Sequence, residues 1–315
     1  MNNDGYFSFP KQSANLQKIV FSQPNMRKSV VTYCLILLLS ILGAKAFCQS
    51  EGLLNDPILP DSLLNDRHLS YQYYKDHFWD NCQLNDSSLY GNQAYANRID
   101  AFFDKVVAPL PDSIKLEIDR FLTKIQNKVI KDFTLLYLLN KYEHPVYMTH
   151  DEIFIHLADE YILKNRDNAL LNEAAYFFIK AHSGDLKRLA LFNEAPALSL
   201  PDKNGLYIDT QALESDYLIL FFYDHECDVC AGEAQTLETI SREHQNVSVY
   251  AVDMNYDFQP FENSFINVSA FHSRGLDPTD AYCIENTPLI YVLDQEKRII
   301  AKKIKAEQIE VFLGR

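Results

Sequence analysis

Tyr217-Leu218-Ile219-Leu220-Phe221-Phe222-Tyr223, followed at once by Asp224-His225-Glu226-Cys227-Asp228-Val229-Cys230, is the stretch on which the fold turns. Seven apolar residues of strand length run into two thiols, and the residues from Val229 to about His244 read as a helix. A C-x-x-C pair at a strand-to-helix junction has the geometry of a redox centre. Cys227 stands at the helix N-terminus, where free N–H groups and the macrodipole favour a thiolate. Cys230 lies one turn on, close enough to form a disulfide and to resolve a mixed-disulfide intermediate. Half a zinc site has the same spacing. No second C-x-x-C or H-x-x-H follows, so neither a metal nor a cofactor is expected.

A second signature lies downstream. Thr287-Pro288 precedes another apolar run, Leu289 to Leu293, ending at Asp294. Proline cannot donate to a sheet ladder and belongs at a strand start or edge. Taken alone it is a strand-initiating residue. With the C-x-x-C it completes a pattern: residues from Phe192 to Arg315 resemble the TlpA-like thiol–disulfide oxidoreductases of the thioredoxin superfamily. Ala195 to Leu200 and Asp202 to Gly205 look like the opening strand and hairpin. Arg298 to Lys303 looks like a late hairpin strand, and Ala306 to Leu313 like a last helix.

The resemblance implies roles. Cys227 attacks and Cys230 resolves, the two forming the redox disulfide. Glu233 matches the acid of C-x-x-C-x-x-E and helps move protons, although an ordinary first-turn glutamate favoured by the dipole reads the same way. Thr287 and a cis Pro288 dock an extended client chain. This sequence also departs from the family: Glu226 replaces the usual tryptophan before the first cysteine, and Gln235 replaces a frequent helix-kinking proline. Asp224, Glu226 and Asp228 bring negative charge to Cys227. Like charge opposes a thiolate, and a dithiol whose thiolate is disfavoured is the better reductant.

A length of 315 residues suits about two domains, and 47% hydrophobic residues suffice for two cores. A formal net charge of −14 argues against nucleic acid and anionic membrane as partners. No phosphate loop, nucleophile elbow or metal-spaced histidine set is visible. Met26-Arg27-Lys28, the apolar run Val30 to Leu42, and Ala44-Lys45-Ala46 together read as a signal peptide over 26–46, leading to the periplasm. The run is too short to span a membrane comfortably, which takes ~20 residues. Residues 1–25 are then a polar extension or a mis-assigned start, with translation beginning at Met26. Cys48 invites a lipoprotein reading, which the bulky Phe47 before it disfavours. Of six cysteines, Cys34 leaves with the signal. The odd remainder is no disulfide scaffold. Cys283 is a small buried hydrophobe or a neighbour of the redox pair.

Residues 47–191 read as helical. Apolar residues recur at helical spacing over Asn92 to Val107, Asp112 to Ile125 and Lys128 to Tyr142. Thr149 to Glu152 reads as a capping box before Ile153 to Leu163. Asn168 to His182 and Asp185 to Phe192 complete a bundle. This half resembles a helical domain of unknown function that precedes TlpA-like domains in exported Bacteroidota proteins. His77 to Cys82, Leu135 to Glu143 and Phe154 to Tyr161 carry the likeness, which implies no activity. Trp79 and the Tyr71–Tyr74 cluster either line a groove or staple the first segment to the bundle. His156 reads as a satisfied core histidine.

The expected architecture is therefore α+β in two domains: an all-α helical bundle, then a thioredoxin-like α/β/α sandwich over 192–315. The expected function is an exported reductase or exchange protein acting on the cysteines of client proteins and recharged by an electron donor. The alternative is a binding or assembly module that keeps the fold as scaffold. Peroxide reduction fits less well, because Asp224-His225-Glu226 stands where related peroxidases place threonine and proline.

Overall fold

The computed structural model describes residues 52–164 and 168–314. The expected signal segment, Cys34 and Cys48 lie outside them. No helix among the described residues is long and apolar enough to cross a membrane.

Among the described residues, six α-helices build the first half: α1 (Arg67–His77), α2 (Gln93–Ala101), α3 (Pro111–Lys124), α4 (Lys128–Glu143), α5 (Asp151–Leu157) and α6 (Glu173–Arg188). Their starts follow from capping chemistry. Asp66, Asn92, Asn127 and Asn172 each accept a backbone N–H of the first turn. Pro111 opens α3, where no N–H is needed. The helices α2 and α5 each continue as a wide π turn, over Phe102–Val106 and Ala158–Leu163. Trp79 is buried, stacked on Phe121 with centroids 4.1 Å apart, and Arg98 lies over the Phe78 ring. It is a core residue that staples the first segment to the bundle. His156 pairs with Asp119 at 2.7 Å and is likewise structural.

Two local expectations fail. Asn168 to His182 and Asp185 to Phe192 are not two helices. From Glu173 a single helix runs through Gly184 to Arg188. A mid-helix glycine weakens a helix by only about 1 kcal/mol, and the buried face of α6 outweighs that. The capping box also does not form. Thr149 sits in a short 3-10 turn (Met148–His150), and His150, the capping position of α5, makes no side-chain cap. Glu152 turns instead to Lys115 at 3.1 Å, and Asp151 is drawn into the second domain.

The second half holds β1 (Ser199–Pro201), β2 (Tyr207–Asp209), β3 (Tyr217–Tyr223), α7 (Asp228–Glu243), β4 (Val247–Asp253), β5 (Ile266–Ser269), α8 (Pro278–Tyr282), β6 (Leu289–Leu293) and β7 (Ile299–Lys302). The last expected helix is a 3-10 segment, Ala306–Val311. Strands order β5-β4-β3-β6-β7, with β3 parallel to β4 and antiparallel to β6. Residues of β3 alternate between two cores. Ile219, Phe221 and Tyr223 face α7, while Leu218, Leu220 and Phe222 face β1 and α8. Helices thus cover both faces of the sheet, and β3 is central because both of its faces are apolar.

The helical and sheet cores part at the end of α6: Leu186 packs with the first and Leu189 with the second. Lys302 crosses the seam. Its Nζ donates to Asp151 Oδ2 at 2.7 Å and to the Leu189 carbonyl at 2.6 Å. Arg188 donates to the carbonyls of Asp280 and Ala281.

Candidate active site

Cys227 is the N-cap residue of α7. Its Sγ accepts the Cys230 N–H at 3.4 Å, using one of the four N–H groups that a helix start leaves without partners. Placed there, the sulfur lies next to the positive end of the helix dipole. It is half-buried, and Val229 beside it is 62% exposed, so the first thiol faces outward. Cys230 is 1% exposed, against Ala234 and Leu237 on the α7 face of the sheet. Burial pushes its thiol up to about 12, helped by the Cys227 sulfur, while backbone bonding at Asp224 and the Thr287 hydroxyl pull the other way. Both cysteines stand as thiols. One thiol is accessible and polarised, and the other is withheld.

Thr287–Pro288 is a cis peptide bond, immediately before β6. The β3–β6 pairing brings it to the end of the sheet where Cys227 sits, because Phe222 lies opposite Leu289. Glu233, one turn beyond Cys230, has a structural bond of its own: its Oε2 accepts the Ala306 N–H at 2.6 Å and so caps the 3-10 segment. It also lines the cavity described below. Of the three carboxylates around Cys227, Glu226 and Asp228 are exposed, where water and salt screen them. Asp224 is tied into the turn, accepting the Glu226 N–H at 2.8 Å and the Asn255 amide at 2.6 Å.

A cavity of about 380 Å³ opens beside the motif, with walls from both domains. His144, Pro145 and Leu186 come from the helical side, and Val229, Glu233 and Pro288 from the redox side. His144 Nδ1 lies 3.4 Å from Glu285 across the opening. Cys283 stands on the same wall as a free thiol, pushed up to about 12 chiefly by burial and further by Asp185.

Reading the sequence alone missed three things. One is the cavity. Another is the buried pair Asp151–Lys302. The last is a fourth carboxylate near the motif: Asp253, fully buried, accepts from His225 Nδ1 at 2.9 Å. Its signal was the mostly apolar run Val247 to Asp253, which is β4.

Residues 192–305 match the AhpC/TSA family, and residues 17–173 match a domain of unknown function, DUF5106. The chain joins a DUF5106 domain to a thioredoxin-like AhpC/TSA domain. A thioredoxin-like protein from Bacteroides caccae superposes over 82% of this chain and 97% of its own, at 16% identity and a TM-score of 0.62. That coverage exceeds either domain alone, so the pairing of the two folds recurs. A domain of a possible thiol-disulfide isomerase from Cytophaga hutchinsonii is 30% identical over 40% of this chain and 91% of its own (TM-score 0.34). The thioredoxin domain of a Bacteroides vulgatus thiol-disulfide oxidoreductase is 21% identical over 40% of this chain and 99% of its own (TM-score 0.33). No curated protein sequence matches the chain.

Proposed function

We propose that this DUF5106–thioredoxin chain is an exported thiol–disulfide oxidoreductase that reduces or exchanges disulfides of client proteins. The observation that carries the reading is the division of labour at one helix start. Cys227 is outward and dipole-facing, whereas Cys230 is buried with its proton held. In the forward direction the Cys227 thiolate attacks a client disulfide sulfur. The client S–S bond breaks, a Cys227–client disulfide forms, and the departing client sulfur takes a proton. Cys230 then gives up its proton and attacks Cys227. The second client thiol leaves, and the protein is left as the Cys227–Cys230 disulfide. A thiol pushed up to about 12 needs a base at that moment, and Glu233 is the carboxylate assigned to it. An external dithiol donor returns the pair to thiols.

Thr287 and Pro288 dock the client backbone, and the adjoining cavity gives the DUF5106 domain a part in choosing clients, since His144 and Pro145 form one wall. A pure scaffold role would give the chain no use for two thiols in unlike environments. Insulin reduction with a dithiol donor tests the reading, together with the Cys230→Ala variant. The variant is expected to accumulate client proteins as mixed disulfides on Cys227. No reduction by the wild type and no trapped species would refute it.

A further inference from the structure

His225 lies two residues before Cys227 on the turn that joins β3 to α7, with its side chain 9% exposed. Its Nδ1 is 2.9 Å from Oδ2 of Asp253, a carboxylate with no exposure at all. A carboxylate at neutral pH only accepts, so Nδ1 carries a hydrogen. The Asn255 amide, 3.4 Å from the same nitrogen, therefore directs its own hydrogen to Asp224 at 2.6 Å. Asp253 is the hub of the segment, accepting also the N–H groups of Asn255 and Gln259. The other ring nitrogen, Nε2, is buried with no hydrogen-bond partner, and the nearest carboxylate, Asp257 Oδ1, is 3.8 Å away. A neutral ring would leave a bare acceptor among acids. The imidazolium instead presents a second N–H toward Asp257. Carboxylates of Asp253, Asp257 and Asp224 surround the ring, from the end of β4, the following loop and its own turn.

We propose that His225 is a positioning residue for the redox centre: as an imidazolium clamped to Asp253, it holds the Asp224–Cys227 turn against the end of β4 and sets Cys227 at the start of α7. The bonds on either side of it make this a single assembly. The Asp224 carbonyl accepts the Cys227 N–H at 3.1 Å, Asn255 grips the Asp224 side chain, and the Met254 N–H returns to the Tyr223 carbonyl at 2.9 Å. Burial of the ring opposes its charge, and Asp253 first, then Asp257 and Asp224, outweigh it, raising His225 above 6.5. The sign follows. A raised histidine stabilises the folded turn fully below about 6.5 and loses that contribution as pH rises through its folded value. The clamp thus weakens over the range in which thiols begin to ionise.

The role rests on the redox reading, and the test separates the two. The reduced full-length protein is mixed with dithiodipyridine in stopped flow from about pH 5 to about pH 9, and His225 is titrated by NMR in the dithiol and disulfide forms. The rate of Cys227 reaction is expected to show a lower ionisation step matching the NMR value above 6.5. That step is expected to vanish in His225→Asn, which keeps a donor for Asp253 but cannot charge. The NMR value is expected to move toward the ordinary one in Asp253→Asn. Linkage further requires that it differ between the two redox forms. A reacting Cys227 whose profile is the same in wild type and His225→Asn overturns the role of His225 alone, as does a His225 that titrates alike in both redox forms. The latter is read on the wild type even if the variants misfold. A Cys227 with no disulfide chemistry overturns the redox reading and this role together.

Discussion

Replacing Asp151 with alanine should destabilise the protein far more than loss of a surface ion pair would. Lys302 Nζ is 2.7 Å from Asp151 Oδ2 and 2.6 Å from the Leu189 carbonyl, with the two side chains 2% and 4% exposed. Lys303 adds a contact at 3.2 Å, but at 32% exposure it can turn to water, so its loss counts for little. Without Asp151 the Lys302 ammonium stays buried with one carbonyl for company. Breaking a buried pair in this way costs about 3–5 kcal/mol. At roughly 2–4 °C per kcal/mol for a domain of this size, the midpoint falls by about 6–20 °C. Urea unfolding followed by far-UV circular dichroism gives the total. Trp79, the single tryptophan and a core residue of the helical domain, reports that half by fluorescence. The double variant Asp151→Leu/Lys302→Met removes both charges and keeps the apolar stem. It should recover most of the loss, because a buried pair is worth little against well-packed hydrophobes. A cost under about 1 kcal/mol for Asp151→Ala, the range of exposed pairs, would refute the reasoning. So would a double variant as unstable as the single one.

Iodoacetamide at about pH 8 should label Cys227 well before Cys230 and Cys283. A thiol at about 12 is ionised there to roughly one part in ten thousand, and peptide mass spectrometry showing equal rates would contradict the site's asymmetry. Glu233→Ala should lose about 1–3 kcal/mol by orphaning the buried Ala306 N–H. Glu233→Gln keeps the acceptor and should retain stability while slowing the resolving step. A fully active Gln variant would leave Glu233 a cap and nothing more. Mass spectrometry of the mature protein should place its N-terminus at or near Phe47, and recovery of an intact 1–46 segment would remove the export proposal.

The site's thiols, its cis proline and the sheet's centre were legible because each is local. A C-x-x-C after an apolar run needs only neighbours in sequence, and β3 and β6 are continuous apolar runs because both of their faces are covered. Helix phase in the bundle was legible for the same reason, from α2 to α4. Local signals misled where a distant partner competed. Thr149 to Glu152 has the letters of a capping box, but Glu152 pairs with Lys115 and Asp151 with Lys302, 151 residues away in the chain. The strand β4 escaped notice because Ser248 near its start and Asp253 at its end shorten the apolar run, and Asp253 is bonded to His225.

By itself the sequence determined which atoms can do chemistry: two sulfurs one helical turn apart, a proline placed to start a strand, and two halves with helical and strand periodicity. These follow from backbone geometry over a few residues. Tertiary structure decided what those atoms are like. Whether Cys230 keeps its proton depends on the β-sheet and α7 closing over it. Whether Glu226 and Asp228 matter depends on their facing water. How the helical domain meets the site depends on contacts across the seam, Lys302 to Asp151 and His144 to Glu285 among them. Desolvation and ion pairing act through space, between residues whose separation along the chain carries no signal.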